Sequence, residues 1–228
     1  GRYKMNKRLE IDVPNTKENW VLTKEDIIGA IKTLFGIIQG KGDVDDIDHL
    51  GNRRVRRVGE LVATNAFRVG LLRLERSIRE KMSLAGPQAM DLVPTQLVNA
   101  RPIIATMNDF FRTSQLSTIL DQTNPLAEID NLRRLTVMGV GGISRERASF
   151  SIRDINASQY GRICPVRSPE GPNIGLVTYM ALYTRVNEYG FLEAPYRKVE
   201  KIRKDGIVKM HVTDVVEYLD ASDEQYHY

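Results

Sequence analysis

The pattern of apolar residues changes character near the middle of the chain. In the first half they recur three and four positions apart, as on one face of a helix. One such stripe is Ile27, Ile31, Leu34 and Ile38, which predicts a helix that is capped by Thr23 and ends at 40–42. The longest stripe predicts a helix over 58–82, with these residues on its buried face: Phe67, Leu71, Leu74, Ile78 and Met82.

Proline and glycine divide the rest of this half. We predict a break at 85–87, a short helical turn around Leu97 and Val98, and a further helix from Pro102 that could extend through 114–121. We interpret Asn124-Pro125 as a turn. The apolar residues of the helix from Pro102 again have helical spacing: Ile103, Ile104, Met107, Phe110 and Phe111.

The second half has the pattern of β-structure. Leu135–Met138 is a short strand-like run, and Phe150, Ile152 and Ile155 recur at near-alternate positions. The stretch 174–183 is rich in strand-forming residues, and hairpin turns are predicted at 189–191 and at Asp205-Gly206. The predicted fold class is therefore α+β, a helical N-terminal half packed with a mostly β C-terminal half.

Charge and chemistry narrow the function classes. The net charge of +4 is modest, but four arginines cluster at 53–57, where phosphate contact and a structural role are equally open. One cysteine excludes an internal disulfide, three separated histidines argue against a zinc site, and no metal site is predicted. The acidic run 43–48 lacks the glycine and terminal glutamate of a calcium loop and is interpreted as solvated.

Several other kinds of site and segment are not indicated. The sequence contains no phosphate-binding P-loop, no dinucleotide fingerprint and no nucleophile elbow. No apolar run approaches the ~20 residues of a membrane-spanning helix, and no signal peptide is visible. Because the chain starts without methionine and stops in charged sequence, we expect both ends to be cuts from a longer polypeptide.

The sequence feature that indicates a binding function is the placement of arginines beside glycine turns. Arg133-Arg134 and Arg145–Arg147 flank the turn at 139–142, and a second glycine and proline cluster follows at 169–175. Guanidinium groups form forked hydrogen bonds with phosphate, and glycine lets backbone N–H groups come close to it. Neutral donors that suit a sliding strand accompany them: Gln115, Asn124, Asn131, Thr136 and Asn173.

Ordered motifs across the chain closely resemble the bacterial DNA-directed RNA polymerase β subunit. They include the runs at 45–54, 114–117, 121–126, 133–135, 141–147, 160–162, 169–176 and 187–192. The resemblance implies an internal, multi-domain segment. Residues 1–45 would end the β lobe, and 46–113 would form the protrusion and fork helices with the first fork loop. Residues 114–184 would form the fork, with the wall of the RNA–DNA hybrid channel, the rifamycin pocket and the second fork loop, and 185–228 would begin the external region.

The resemblance also implies site residues. The hybrid wall, which is the rifamycin pocket, would comprise Gln115, Ser117, Thr118, Asp121, Asn131, Arg134, Thr136, Met138, Pro169, Glu170, Asn173 and Val177. The fork loops would face DNA through Asp48, Arg53, Arg54, Arg56, Arg145 and Arg147. No catalytic residue is expected in this chain, because the family's catalytic aspartates and their Mg²⁺ lie on β′. The segment alone would be inactive and bind no cofactor.

The implied setting is a cytoplasmic bacterial enzyme. Its partners would be the β′, α and sigma subunits, both DNA strands and nascent RNA, with no membrane. Departures from the family pattern are Thr118, Asn131, Thr136, Val140 and Val177, where glutamine, histidine, serine, proline and isoleucine are common or usual. They predict weakened binding of rifamycin antibiotics.

Two alternatives come from the residues themselves. A stand-alone basic module would bind nucleic acid without partners, because its arginines and glycine turns would suffice. A metal-dependent phosphotransferase would use Asp43–Asp48 and would show magnesium-dependent activity in isolation.

Overall fold

The computed structural model describes residues 1–42, 44–86, 93–204 and 207–227. Asp43, the proline of the predicted break at 85–87 and the predicted turn at Asp205-Gly206 lie outside these residues. The described chain divides into two compact units, Gly1–Ile47 and Asp48–Tyr228. The α+β class is confirmed, with helices in the N-terminal part and sheets in the C-terminal part.

The first unit holds helices α1 (Arg2–Leu9) and α2 (Lys24–Ile38). The predicted cap at Thr23 is confirmed, and its backbone N–H donates to Asp26 at 2.8 Å; the helix ends at Ile38, shortly before the predicted end at 40–42. The apolar stripe of α2 is exposed, however; Leu34 and Ile38 are 58% and 70% accessible. Helix α1 packs on another face of α2, because Gly29 lets Leu9 come close and Arg2 pairs with buried Asp26.

The Arg2–Asp26 ion pair joins the two helices of this unit. The Arg2 guanidinium also donates to the backbone oxygens of Asn19 and Val21, each at 2.7 Å. This guanidinium and the Thr23 N–H lower the pKa of Asp26 to about 2, from an ordinary value of 3.8.

We expect the first unit to lose stability in acid. Since the pKa of Asp26 is lower in the folded chain than in the unfolded one, its contribution is complete above pH ~4 and is lost as the pH falls towards 2. An acid titration followed by fluorescence of Trp20, the single tryptophan, should show this transition. Asp26→Asn should remove the dependence in that window, and an unchanged titration in the variant would contradict this role.

The second unit contains the remaining elements. Its helices are α3 (Val58–Val62), α4 (Arg68–Ala85), α5 (Pro94–Leu97), α6 (Arg101–Thr113), α7 (Pro125–Leu132), α8 (Phe150–Arg153) and α9 (Ala221–Glu224). A π-helical turn, Ala63–Phe67, joins α3 to α4. Its strands are β1 (Arg134–Thr136), β2 (Val177–Tyr179), β3 (Arg185–Val186), β4 (Leu192–Lys204) and β5 (Ile207–Asp220). β1 pairs with β2, and β3, β4 and β5 form a second antiparallel sheet in that order.

Helices α4 and α6 cross at a glycine. A Cβ on Gly70 would lie 2.6 Å from the Thr106 Oγ1 and 2.9 Å from the Ile103 Cα, so only glycine permits this approach. The predicted buried stripe on α4 is only partly covered. Leu74 and Ile78 are half-buried, but Phe67, Leu71 and Met82 are 43–47% exposed.

Three predictions of local structure in the second unit are wrong. α6 ends at Thr113 and does not extend through 114–121. The alternating apolar residues at 150–155 include the short helix α8, not a strand, and Phe150 is exposed. Asn124 begins α7, since its Oδ1 accepts from the Ala127 N–H at 2.7 Å.

A small core with a buried arginine beside it links the second sheet to the preceding loops. Leu50, Ile163, Leu192 and Ala221 form the buried apolar cluster. Arg162 is fully buried. It donates to the backbone oxygens of Leu192 (3.1 Å), Ser158 (3.2 Å) and Leu219 (2.9 Å), and to the Glu224 carboxylate (2.5 Å). One guanidinium therefore connects the loop before it with β4, β5 and α9.

Arg162→Met should destabilise the second unit by about 3 kcal/mol or more, because three carbonyl groups and Glu224 lose their donor. Urea denaturation of the chain, followed by far-ultraviolet circular dichroism, measures the loss. Arg147→Met is the matched control, since Arg147 is exposed and should change stability by no more than ~0.5 kcal/mol. Equal midpoints for the two variants would contradict the role assigned to Arg162.

Candidate nucleic-acid interface

Two backbone N–H groups of the segment 48–57, called here the first loop, hold it to other parts of the unit. The N–H of buried Leu50 donates to the Ser158 Oγ at 2.9 Å, and the Val55 N–H donates to the Gly190 oxygen at 2.7 Å. Asp48 lies half-buried at its start. The loop is therefore held against the second sheet, not displayed as a free arm.

Two of the four arginines in the cluster at 53–57 bind protein groups close to the first loop, and a third is half-buried. Arg54 grips Glu60 through two hydrogen bonds of 2.8 and 2.5 Å, which lower the pKa of Glu60 and raise that of Arg54. Arg57 donates to the Val186 oxygen at 3.0 Å. Arg53 is half-buried. The structure thus gives much of this cluster a structural role, which the sequence left open against phosphate contact.

The fourth arginine of the cluster joins the first loop to the second loop, 139–147. Arg56 donates to the Val140 oxygen at 2.7 Å, and a Cβ on Gly141 would lie 3.3 Å from its Nη1. The glycine turn is closed by the Ile143 N–H, which donates to the Val137 oxygen at 2.9 Å. Gly141 has a φ of +75°, a conformation that favours glycine. The two loops that the sequence assigned to DNA therefore meet in space.

Arg145 and Arg147 lie on an exposed 3₁₀ turn of the second loop. Within the described parts of the chain, neither side chain has an ion pair. Arg153 holds this turn to the loop 169–175, since it donates to the Pro172 (2.7 Å), Ile174 (3.0 Å) and Arg145 (3.3 Å) backbone oxygens. Sequence reasoning missed Arg153, which carries no motif signal of its own.

The predicted wall is brought together by the pairing of β1 with β2. Thr136 lies opposite Val177, and the Val137 N–H donates to the Leu176 oxygen at 3.0 Å. Met138 is buried, with 9% of its surface accessible, so its side chain supports the wall from within. The Thr136 Oγ1 accepts from the Met138 N–H at 3.2 Å.

The segment 114–121 contributes side chains of mixed exposure. Gln115, Thr118 and Asp121 are exposed. The Ser117 hydroxyl donates to the Phe111 oxygen at 2.7 Å, and the Asn131 amide reaches the Ile119 oxygen at 3.5 Å. The amide contact links the end of α7 to this segment.

The loop 169–175 completes the predicted set. Glu170 is exposed, and Pro169 and Asn173 are half-buried. The Oδ1 of Asn173 is buried and accepts no hydrogen bond from the described residues. Gly175 is required here, because a Cβ would lie 2.4 Å from the Arg153 oxygen.

The adjacent arginines 133 and 134, which the sequence treats as one pair, have different surroundings. Arg133 donates to the backbone oxygens of Ala181, Leu182 (3.2 Å) and Thr184 (3.3 Å), so it holds the chain that follows β2. Arg134 is exposed, with its guanidinium carbon 5.7 Å from the centre of the Tyr179 ring. Only Arg134 of this pair is therefore available to a ligand.

Two further observations concern metals and membranes. In residues 1–42, 44–86, 93–204 and 207–227, no three His, Cys, Asp or Glu side chains are grouped as metal ligands. No helix in the same ranges is both long enough and apolar enough to cross a membrane.

Two family models match this chain, and both describe domains of one subunit. Residues 1–56 match RNA polymerase Rpb2, domain 2, and residues 118–186 match RNA polymerase Rpb2, domain 3. The matched ranges hold more than half of the 228 residues and follow the domain order. The chain is therefore part of the second-largest subunit of an RNA polymerase.

This assignment gives the activity of the complex. The subunit belongs to DNA-directed RNA polymerase, a nucleotidyltransferase of transcription. It assembles with other polymerase subunits and with nucleic acids.

Proposed function

We propose that this chain is a segment of a bacterial β subunit that lines the RNA–DNA hybrid channel and the downstream edge of the transcription bubble. One observation carries the proposal: Arg56 joins the two predicted DNA-facing loops at 2.7 Å, on the same unit in which Thr136 is aligned with Val177. Loops and wall thus belong to one folded body, as a continuous nucleic-acid path requires.

The charges of this surface support the same proposal. Arg133, Arg153 and Arg162 bind backbone oxygens of the protein, whereas Arg145 and Arg147 are exposed and have no ion pair within the described residues. Exposed guanidinium groups on a rigid turn can bind the phosphates of a translocating strand. Each contact is a strong, charge-assisted hydrogen bond that does not depend on the base sequence.

The chemical step would take place on other chains. We propose that the catalytic aspartates and Mg²⁺ are held by β′, and that this segment is inactive alone and contributes by positioning the hybrid. The α and sigma subunits, the two DNA strands and nascent RNA complete the proposed assembly in the bacterial cytoplasm.

The second loop tests the proposal. In reconstituted polymerase, Arg145→Gln with Arg147→Gln should shorten the lifetime of the elongation complex about tenfold, since two phosphate contacts are lost. The slope of log lifetime against log salt concentration should become shallower by about two, roughly one for each lost phosphate contact. Glu146→Gln is the matched control, because it removes an exposed negative charge from the same turn.

Two results would contradict the proposed position. One is a double variant with the parental lifetime and salt dependence. The other is tight, specific DNA binding by the isolated chain in a gel-shift assay, which would favour a stand-alone module.

We also propose that rifamycins bind this polymerase weakly. Asn131 and Thr136 stand where the family usually has histidine and serine. The Asn131 amide is directed at the Ile119 oxygen, and the Thr136 hydroxyl accepts from a backbone N–H, so both polar groups serve the protein itself. The lost contacts are worth on the order of a few kcal/mol.

Asn131→His with Thr136→Ser should therefore increase the sensitivity of the reconstituted enzyme to a rifamycin by at least about tenfold. Inhibition of RNA synthesis across a range of drug concentrations measures the change. Strong inhibition of the parental enzyme at ordinary drug concentrations would contradict the proposal. Leu182→Ala, an exposed change outside the predicted wall, serves as the control.

A further inference from the structure

Two guanidinium groups contact one aromatic ring beside the predicted wall. The Arg167 guanidinium carbon lies 3.7 Å from the centre of the Tyr179 ring, and that of Arg134 lies 5.7 Å from the same centre. Arg134 and Tyr179 are direct neighbours across the β1–β2 pair. The strand register, rather than chance proximity, therefore brings Arg134 to the ring.

The charge of one of these arginines is compensated. Arg167 binds both carboxylate oxygens of Asp130, and the Nη2–Oδ2 distance is 2.8 Å. This contact lowers the pKa of Asp130 and raises that of Arg167. The charge of Arg134 also lowers the pKa of Asp130, by less than Arg167 does. Within the described residues, however, Arg134 has no hydrogen bond or ion pair, so its exposed guanidinium group remains available to an outside ligand.

The ring is held in place by the backbone around it. The Tyr179 oxygen accepts from the Cys164 N–H at 2.8 Å, and the Arg167 N–H donates to the Cys164 Sγ at 3.4 Å. The Met180 N–H donates to the Arg133 oxygen at 3.1 Å. The Tyr179 ring and the Arg167–Asp130 ion pair thus form a rigid support next to the exposed Arg134 side chain.

We propose that Asp130, Arg167 and Tyr179 form a brace that positions Arg134 to bind a phosphate of the nucleic acid. Arginine loses rotamer freedom when it binds, and a side chain already ordered on a ring loses less. Asp130 compensates the charge of Arg167. The Arg167 guanidinium can therefore order the Tyr179 ring without itself competing with Arg134 for the phosphate. The inference rests on the proposed hybrid-wall function and adds positioning residues to it.

The test is a double-mutant cycle in reconstituted polymerase with the full-length subunit. The readout is the half-life of an elongation complex at raised salt. Arg134→Gln should shorten it about tenfold, and Tyr179→Leu about threefold to fivefold. Tyr179→Leu should have no further effect when Arg134 is already glutamine, because the brace acts only through Arg134.

Three more variants separate positioning from general damage. Tyr179→Phe, unlike Tyr179→Leu, should have the parental half-life, since the aromatic ring is kept. Arg167→Gln should shorten the half-life in the parental enzyme but not beside Arg134→Gln, and it replaces Tyr179→Leu if that variant fails to assemble. Tyr183→Leu, an exposed tyrosine outside the brace, should leave the half-life unchanged.

The outcomes distinguish two failures. If Arg134→Gln leaves the half-life unchanged, the proposed wall contact is wrong. If Arg134→Gln shortens it but Tyr179→Leu and Arg167→Gln do not, or if they add to Arg134→Gln independently, the brace is overturned while the proposed function stands.

Discussion

The second unit depends on one buried cation. Arg162 is removed from water completely, and a charge in that position is tolerable only if its donors are all used. It binds three backbone oxygens and Glu224, which come from a loop, two strands and the last helix. Because a guanidinium presents several donors in a fixed plane, these elements cannot shift separately. The small apolar core around Leu50 and Leu192 could not impose such a geometry alone.

Hydrogen bonds from arginine side chains to backbone oxygens also hold the loops of the predicted nucleic-acid surface. Arg133, Arg56 and Arg153 each bind backbone oxygens of neighbouring loops, and so they fix irregular chain that has little secondary structure of its own. Arg134, Arg145 and Arg147 remain exposed. The arginines named here therefore divide into those that hold the surface together and those that it exposes, and both kinds are needed for a rigid binding face.

Prediction from the sequence worked where a signal was local. The helix over 24–38 and the turn near Gly190 follow from periodicity, caps and glycine, which act within a few residues. Prediction from the sequence failed where contacts with distant residues determine the local structure or its burial. The apolar stripe of α2 is exposed, since Gly29 and the Arg2–Asp26 pair direct packing to another face. At 150–155 the alternating pattern includes a helix, because strand formation depends on cross-strand neighbours, and none pairs with this segment among the described residues.

By itself, the sequence determined the mixed fold class and the order of motifs that mark a polymerase second-largest subunit, because both are written in short runs of residue types. Only the tertiary structure decided which arginines are free. Arg133 and Arg134 are adjacent and chemically identical, yet one binds backbone oxygens and the other lies exposed beside Tyr179. That difference arises from contacts with residues about 45–50 positions away along the chain, which no local pattern encodes.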